Sequence, residues 1–178
     1  MMLRHNMIQN QLKKIKLLLL DVDGVLTDGS IAYDDNGIEL KTFNVRDGLG
    51  IRLLMSSGII IGIITGRSSE ALRHRCRNLG ISHLFDGVRD KAALLEEIVS
   101  NTGISAEEIA FMGDDLQDLA LMRKVGVSIA VADSCAEITE AADWVTHAKG
   151  GRGAVREVSE AILKSQKRWQ ELIDRLFT

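Results

Sequence analysis

The sequence contains no proline, although average usage of about 5% predicts several in a chain of 178 residues. Turns must therefore be formed by glycine, asparagine and aspartate, the other residues that favour turn conformations. Only two cysteines are present, Cys76 and Cys135. They lack the spacing of metal ligands, and the patterns around them indicate a helix and a loop, respectively. Free thiols in a reducing compartment are therefore favoured over a disulfide.

Long hydrophobic runs and a strong net charge are also missing. The longest apolar stretches, residues 17–20 and 59–64, are far shorter than the ~20 residues that span a bilayer. The polar N-terminus lacks the apolar core of a signal peptide. We therefore expect a soluble, cytoplasmic protein without a membrane partner. A net charge of −3 argues against a broad nucleic-acid-binding surface, so that an anionic ligand must be bound by a local group of basic residues.

What is present is typical of one soluble globular domain, with 46% hydrophobic and 26% charged residues. Residues 1–15 carry Ile8, Leu12 and Ile15 at helical spacing, which predicts a frayed helix or an N-terminal arm. No linker, repeat or low-complexity stretch divides residues 16–178. We therefore predict a single domain over residues 16–178 that includes a C-terminal helix.

Helical and extended patterns alternate along this domain. The predicted strands cover 16–20, 59–64, 83–85, 109–112, 127–131 and 144–146. The predicted helices cover 47–57, 68–79, 91–102, 116–124 and 137–141, followed by a long helix from residue 154. Such alternation predicts an α/β fold with a doubly wound, Rossmann-like parallel sheet. Two alternating runs around Asp35, Asn36 and Gly37 predict a β-hairpin inserted after the first strand.

Polar residues follow four of the predicted strands. Asp21 and Asp23 follow the first strand, Thr65 follows the second, Lys91 lies beyond the third, and the acidic cluster of Asp114, Asp115 and Asp118 follows the fourth. Taken singly, turn and capping chemistry explains the acids, a helix cap explains Thr65, and a solvated side chain explains Lys91. Because the carboxyl ends of parallel strands meet at one edge of a sheet, all four together favour a single site.

Phosphoryl transfer through an aspartyl-phosphate is the chemistry that suits these groups. A carboxylate such as Asp21 can attack phosphorus, and the oxygens of Asp21 and Asp114 suit Mg²⁺. Asp23 can act as general acid and then as general base. Thr65 and the N–H groups that follow it can hold phosphate oxygens, and Lys91 can balance the transferred charge.

The motifs in this order resemble those of the haloacid dehalogenase superfamily: DVDGVLT, the threonine of ITGR, Lys91 and GDDLQD. Over roughly residues 16–163, the chain is more closely similar to the 3-deoxy-D-manno-octulosonate 8-phosphate phosphatase family. That similarity rests on LLLLDVDGVLTDG, KTFNVRDGLGIRLL, IITGRSS, GDD and GGRGAVREV. The resemblance implies Mg²⁺-dependent hydrolysis of the eight-carbon sugar acid phosphate through an aspartyl-phosphate, in lipopolysaccharide biosynthesis. It also implies a homotetramer.

The resemblance further implies roles for individual residues. The metal ligands are Asp21, Asp114 and the backbone carbonyl of Asp23, and the catalytic residues are Asp21, Asp23, Thr65 and Lys91. The implied substrate-binding residues are Asp23, Asn44, Val45, Arg46, Asp47, Gly48, Arg52, Gly66, Arg67, Arg75 and Lys91. Arginines suit a substrate with a phosphate and a carboxylate because they bind such anions bidentately. For Arg52 and Arg75 a solvated helix face is the alternative.

No cap domain is predicted. The hairpin, one helix and one strand occupy the gap between Asp21 and Thr65, and one helix and one strand occupy the gap between Thr65 and Lys91, whereas a separate domain needs ~50 residues. An uncapped cleft that excludes water requires a cover, which another subunit can supply. The apolar hairpin residues are candidates for this contact: Ile31, Tyr33, Ile38, Leu40 and Phe43. The alternative is a hairpin that folds on its own core.

Three other functions stay open at this stage. The first is the same chemistry on a nine-carbon 2-keto sugar acid 9-phosphate or another small phosphate monoester. The second is a signalling receiver that holds phosphate on an aspartate, against which Asp23 argues because a resident acid/base hastens phosphate loss. The third is a scaffold without catalysis. Further along the chain, a stripe at helical spacing predicts an apolar helix face: Trp169, Leu172, Ile173 and Leu176.

Overall fold

A parallel sheet forms the centre of the molecule, and it confirms the predicted doubly wound α/β fold. The computed structural model describes the backbone of residues 2–176 and the side chains of residues 7–175. Within this part of the chain, six parallel strands form the sheet: β1 (Leu17–Leu20), β4 (Ile60–Ile64), β5 (His83–Phe85), β6 (Ile109–Gly113), β7 (Val127–Ala130) and β8 (Trp144–Val145). Their spatial order is β5-β4-β1-β6-β7-β8, which places β1 between β4 and β6.

Helices cover both faces of this sheet. They are α1 (Met2–Leu12), α2 (Val45–Ser56), α3 (Glu70–Leu79), α4 (Leu94–Thr102), α5 (Leu119–Met122), α6 (Ala136–Ala141), α7 (Ala154–Ser165) and α8 (Trp169–Leu176). The predicted hairpin consists of β2 (Ala32–Tyr33) and β3 (Glu39–Leu40), which pair antiparallel. Among the described helices, none is both long and apolar enough to cross a bilayer.

The four leucines of β1 are fully buried because helices cover both faces of this strand. Alternate side chains point to opposite faces of the sheet and pack against different helices. Leu18 and Leu20 belong to the core cluster that includes residues of α2 and α7. Leu17 and Leu19 belong to the cluster on the other face, with residues of α4 and α5. A strand that is covered on both faces has no polar face, which explains why its sequence reads as an unbroken leucine run.

Several predicted boundaries differ from the structure. The long helix predicted from residue 154 is wrong, because the chain forms α7 and α8 with Lys167 between them at a φ of 60°. A turn precedes α4 and a 3₁₀ turn (Leu116–Asp118) precedes α5, so both helices begin later than predicted. Residues 2–12 are helical, and Leu12 and Ile15 are buried in the main core. The C-terminal end of this helix and the residues that follow it therefore pack into the core. A frayed helix and an arm were the two alternatives predicted for residues 1–15.

Candidate active site

The predicted polar residues lie along the carboxyl edge of the sheet, where adjacent strands end. Asp21 follows β1 and Asp114 follows β6, and these strands pair directly. The Asp21 N–H donates to the carbonyl of Met112 at 3.0 Å, which extends the pairing past the end of β1. Thr65 follows β4 on the other side of β1. Asp21, Thr65 and Lys91 are all buried, so the solvated alternative for Lys91 is wrong.

Lys91 joins two carboxylates at this edge. Its Nζ lies 2.9 Å from Asp21 Oδ1 and 2.7 Å from Asp118 Oδ1. Burial lowers the pKa of Lys91, but Asp21 and Asp118 outweigh that effect, so that its pKa is raised. The ammonium group therefore stays charged beside the Asp21 carboxylate.

Asp118 belongs to the acidic cluster that follows the fourth predicted strand, but the sequence analysis gave it no role in the site. It is completely buried, and its Oδ2 accepts hydrogen bonds from the N–H groups of Asp114 at 2.9 Å and Asp115 at 3.4 Å. Through these contacts it fixes the loop that carries Asp114, while its other oxygen binds Lys91. The available signal was its position in the acidic motif GDDLQD, four residues after Asp114.

Within the acidic cluster of Asp21, Asp114 and Asp118, two buried carboxylate oxygens have no hydrogen-bond partner among the described residues: Asp21 Oδ2 and Asp114 Oδ1. Oxygens of Asp21, Asp114 and Asp118 lie within 4.8 Å of one another. Burial raises the pKa of Asp21 to about 6 against the opposing effect of Lys91. Burial, with Asp21 and Asp118 as neighbours, raises the pKa of Asp114 to about 7. Unpaired, crowded carboxylates fit a hard divalent cation. Since both oxygens of Asp118 already accept hydrogen bonds, Asp21 and Asp114 are the better candidate ligands.

Glycines allow three loops to meet beside these carboxylates. Gly24 has a φ of +87°, and an added Cβ atom would lie 2.0 Å from Asp114 Oδ2. A Cβ atom on Gly150 would lie 1.7 Å from the Gly24 carbonyl oxygen. The Gly151 N–H donates to the carbonyl of Val25 at 2.9 Å. The motif GGRG therefore packs against the turn that follows β1, and its glycines serve close backbone approach.

A network of charged side chains surrounds Asp23 at the base of the hairpin. Lys41 Nζ binds Asp23 Oδ1 and lies 2.7 Å from Glu39 Oε1. Arg67 Nε lies 3.6 Å from Asp23 Oδ2, and Arg67 Nη2 donates to Glu39 at 3.2 Å and to the Tyr33 hydroxyl at 3.1 Å. Arg67 thus lies beside Asp23, and its contact with the substrate stays a prediction. Lys41, like Asp118, was not among the predicted site residues.

Thr65 and Gly66 form the turn after β4. Thr65 Oγ1 accepts a hydrogen bond from the Arg67 N–H at 3.3 Å. Helix α3 starts only at Glu70, with Ser69 as its N-cap residue, so the helix-cap alternative for Thr65 is wrong. Gly66, at the same turn, is exposed.

Other predicted substrate contacts form a second group around a cleft of about 310 Å³. Val45, Gly48, Arg52 and Arg75 line this cleft. Arg75 Nη2 donates to the Asn44 carbonyl at 3.2 Å, and Arg52 Nη2 donates to the Asn78 carbonyl at 2.7 Å. Burial, with Arg52 adding, lowers the pKa of Arg75. The hydrogen bonds found for Arg52 and Arg75 do not reach the acidic cluster, so the structure does not join the two groups directly.

Asp47 and Asn44 have structural contacts of their own. Asp47 is buried, and its Oδ1 and Oδ2 accept from the N–H groups of Arg156 at 2.8 Å and Gly153 at 3.3 Å. It thereby satisfies the N-terminus of α7, and burial raises its pKa. Asn44 caps α2 by accepting from the Arg46 N–H at 2.8 Å. Substrate binding by Asn44, Arg46 and Asp47 stays a prediction.

Known proteins of one family are similar to this chain in sequence. The family profile of haloacid dehalogenase-like hydrolases matches residues 81–158. The 3-deoxy-D-manno-octulosonate 8-phosphate phosphatase KdsC of Salmonella typhi is 47% identical over 164 residues, which is 92% of this chain and 87% of that protein. The enzyme of the same name from Escherichia coli K12 is 48% identical over 159 residues, covering 89% of this chain and 85% of the relative.

A solved structure gives the same result. The 3-deoxy-D-manno-octulosonate 8-phosphate phosphatase of Moraxella catarrhalis, in complex with a magnesium ion, a phosphate ion and a KDO molecule, superposes with a TM-score of 0.94 at 44% identity. The match covers 96% of this chain and 98% of that one. The chain therefore belongs to the 3-deoxy-D-manno-octulosonate 8-phosphate phosphatase family of haloacid dehalogenase-like hydrolases.

Proposed function

We propose that this protein is a phosphoric monoester hydrolase that converts 3-deoxy-D-manno-octulosonate 8-phosphate to the free sugar acid and phosphate. This reaction is a step of lipopolysaccharide biosynthesis. The observation that carries the proposal is the buried Asp21 carboxylate, with Lys91 on one oxygen and, in the described part of the chain, no hydrogen-bond partner on the other. Family membership supports the eight-carbon substrate over the nine-carbon alternative, because the relatives above are named for it.

In the proposed mechanism Asp21 is the nucleophile. Its carboxylate attacks the phosphorus, the bond between phosphorus and the sugar oxygen breaks, and Asp23 gives a proton to the departing alkoxide. Asp23 then takes a proton from a water molecule, which attacks the phosphorus of the aspartyl-phosphate. Phosphate leaves, and the Asp21 carboxylate is restored.

The surrounding residues hold the transferring group. Lys91 lies 2.9 Å from Asp21 and balances the charge that develops on the phosphoryl oxygens. The N–H of Gly66 and the side chain of Thr65 supply hydrogen bonds at the turn after β4. Arg67, beside Asp23, is placed to bind an anionic group of the substrate, and Arg52 and Arg75 are the further candidates for its carboxylate.

Mg²⁺ is the cofactor that fits the unpaired oxygens of Asp21 and Asp114, and the backbone carbonyl of Asp23 is the third proposed ligand. When bound, the ion neutralises phosphate charge and so favours attack by an anionic carboxylate. We also propose a cytoplasmic location, which the free thiols of Cys76 and Cys135 support.

The test is phosphate release from 3-deoxy-D-manno-octulosonate 8-phosphate, with Mg²⁺ and with a chelator. A nine-carbon 2-keto sugar acid 9-phosphate and common sugar phosphates serve as the comparison panel. We expect selective release from the eight-carbon compound that stops when the chelator is added. A stronger preference for the nine-carbon compound would overturn the substrate assignment, and no release from any compound would overturn the enzymatic function.

Mg²⁺ is also expected to stabilise the fold in a pH-dependent way. In the folded protein the pKa values of Asp21 and Asp114 are raised to about 6 and about 7. The protonated groups therefore favour the metal-free fold at low pH. As the pH rises through these pKa values the groups ionise, and the free energy of unfolding of the metal-free protein decreases. Ion binding requires the deprotonated groups. An ion at about 100 times its dissociation constant adds about 2.7 kcal/mol, or roughly 5–10 °C in Tm. The increase in Tm on addition of Mg²⁺ should be present at pH 8 and much smaller at pH 5.

The variant Asp114→Asn separates ion binding from a general salt effect. Removing one of the crowded carboxylates should raise the Tm of the metal-free protein at pH 8 by a few degrees and remove most of the response to Mg²⁺. Thermal scans at matched ionic strength measure both quantities. A full Mg²⁺ response in Asp114→Asn would contradict the assignment of Asp114 as a ligand.

We further propose a homotetramer that assembles through the hairpin. Ile31, Tyr33, Ile38 and Leu40 are 51%, 58%, 59% and 57% exposed, whereas Phe43 packs against the core of its own chain. An exposed apolar patch of this kind is typical of a protein interface. The hairpin therefore does not bury its own apolar residues, which removes the alternative of a self-contained hairpin.

Light scattering after size-exclusion chromatography tests this assembly. The expected mass is that of four chains, and the double variant Ile31→Asp, Ile38→Asp should dissociate the assembly because it places charges in an apolar contact. Asp35→Asn, at the exposed turn of the same hairpin, serves as the control that keeps the mass. A wild-type mass of one chain would overturn the proposal.

A further inference from the structure

The side chain of Lys41 is a buried cation that has no role in the mechanism proposed above. Its side chain is only 2% exposed, although it lies at the base of a hairpin whose neighbouring residues Leu40 and Ile38 are exposed. Its ammonium group binds Asp23 Oδ1 on one side and lies 2.7 Å from Glu39 Oε1 on the other. A lysine is rarely buried to this extent unless it is paired, so these two carboxylates explain its position.

The charges around this lysine keep it ionised. Burial lowers the pKa of Lys41, but Asp23 and Glu39 outweigh it, so that the pKa is raised. Lys41, followed by Arg67, holds the pKa of Glu39 below its usual range. Arg67 Nε faces Asp23 Oδ2 at 3.6 Å. Each oxygen of Asp23 therefore faces a cation, one from the hairpin and one from the turn after β4.

The contact fixes the direction of a short side chain. Because Lys41 binds Oδ1, the Asp23 carboxylate cannot rotate freely. Its Oδ2 accepts no hydrogen bond from the residues that the structure describes. Glu39 holds Lys41 and Arg67 at the same time, so the hairpin sets the relative positions of both cations. A general acid or base must lie within hydrogen-bond reach of the proton that it transfers, and small displacements of such groups are costly.

We propose that Lys41 is a positioning residue for Asp23, and that the hairpin thereby controls the proton-transfer steps of phosphate hydrolysis. The inference rests on the proposed function, in which Asp23 protonates the leaving alkoxide and later deprotonates water. Lys41 transfers no proton itself. It holds the Asp23 carboxylate in place, and Glu39 holds Lys41.

The test compares Lys41→Met, which keeps most of the length of the side chain without its charge, with Lys41→Arg, which keeps a charged donor. Lys14→Met is the matched control, because Lys14 is exposed and precedes β1 at the opposite edge of the sheet. With the eight-carbon sugar acid phosphate, Lys41→Met should lower kcat about 10- to 100-fold and leave KM within about twofold. Lys41→Arg should recover most of kcat, and Lys14→Met should match the wild type.

A second substrate isolates the step. The nitrophenolate of p-nitrophenyl phosphate leaves without a proton, so phosphorylation of Asp21 should stay fast in Lys41→Met while hydrolysis of the aspartyl-phosphate slows. A burst of nearly one nitrophenolate per active site should therefore precede slow turnover, with a larger amplitude than in the wild type. A protein that had only lost stability would show no such burst.

Several results would overturn the inference. These are an unchanged kcat in Lys41→Met, a raised KM with unchanged kcat, a Lys41→Arg variant as slow as Lys41→Met, or an equal loss in Lys14→Met. A wild-type protein inactive on the sugar acid phosphate but active on p-nitrophenyl phosphate would overturn the substrate alone, and the burst would still decide the role of Lys41. Inactivity on both compounds would overturn both proposals.

Discussion

The variant Asp21→Asn is expected to release no measurable phosphate, a loss of at least about 10⁴-fold in kcat. Asparagine keeps the shape of the side chain, but its amide cannot attack phosphorus, and removal of a nucleophile costs rates of this order. The role of nucleophile depends on this position, because the Asp21 carboxylate follows the central strand β1 and is held by Lys91. Initial rates of phosphate release with saturating Mg²⁺ provide the measurement.

Folding should survive this change, which separates lost chemistry from lost structure. Burial raises the pKa of Asp21 to about 6, so the ionised side chain costs stability at neutral pH and a neutral amide removes that cost. Lys91 keeps Asp118 as its partner at 2.7 Å. We therefore expect a Tm equal to or above that of the metal-free wild type. Asp174→Asn on α8 serves as the matched control, and residual activity above one part in about 10⁴ in Asp21→Asn would refute the assignment of Asp21 as the nucleophile.

The variant Asp23→Asn is expected to be slow and to accumulate the aspartyl-phosphate. Without an acid/base group, kcat should fall by about 10²- to 10⁴-fold, because both the departure of the sugar and the attack of water need a proton transfer. Hydrolysis of the intermediate should slow more than its formation when the leaving group is nitrophenolate. Acid quenching and mass spectrometry should then detect a phosphorylated protein.

The same variant, Asp23→Asn, also tests the network of charged side chains around Asp23. Lys41 and Arg67 both face Asp23, and the loss of its charge leaves Glu39 as their common partner. The fold should therefore persist, with a change in Tm of only a few degrees. Wild-type kinetics in Asp23→Asn would remove the acid/base role, and phosphate retained on a residue other than Asp21 would refute the proposed intermediate.

The sequence was sufficient to predict the architecture and the centre of the site. The apolar run of β1 predicted a strand buried on both faces, and β4 and β6 flank it with their own polar ends. Asp21, Asp114 and Lys91 converge because parallel strands end at one edge, a property that follows from strand order alone. The hairpin also followed from the sequence pattern, since two alternating runs flank a recognisable turn, whereas the exposure of its apolar residues did not.

Contacts that depend on tertiary packing could not be predicted in this way. Lys41 reaches Asp23 only because the hairpin folds back over the end of β1, and nothing in the local sequence distinguishes Lys41 from a solvated lysine. The second contact of Asp47 was equally hidden, because its carboxylate caps α7, more than 100 residues later in the chain. The break at Lys167 between α7 and α8 has no glycine or proline to indicate it.

The glycine contacts beside Asp114 have a consequence for protein synthesis. Gly24 lies close to the Asp114 carboxylate and to Gly150, so the turn that follows β1 is completed by residues from the last third of the chain. A nascent chain exposes its first aspartates early, yet it lacks their supporting loop until residue 151 has left the ribosome. Since domains fold as units, the ion-binding pocket should form only near the end of translation.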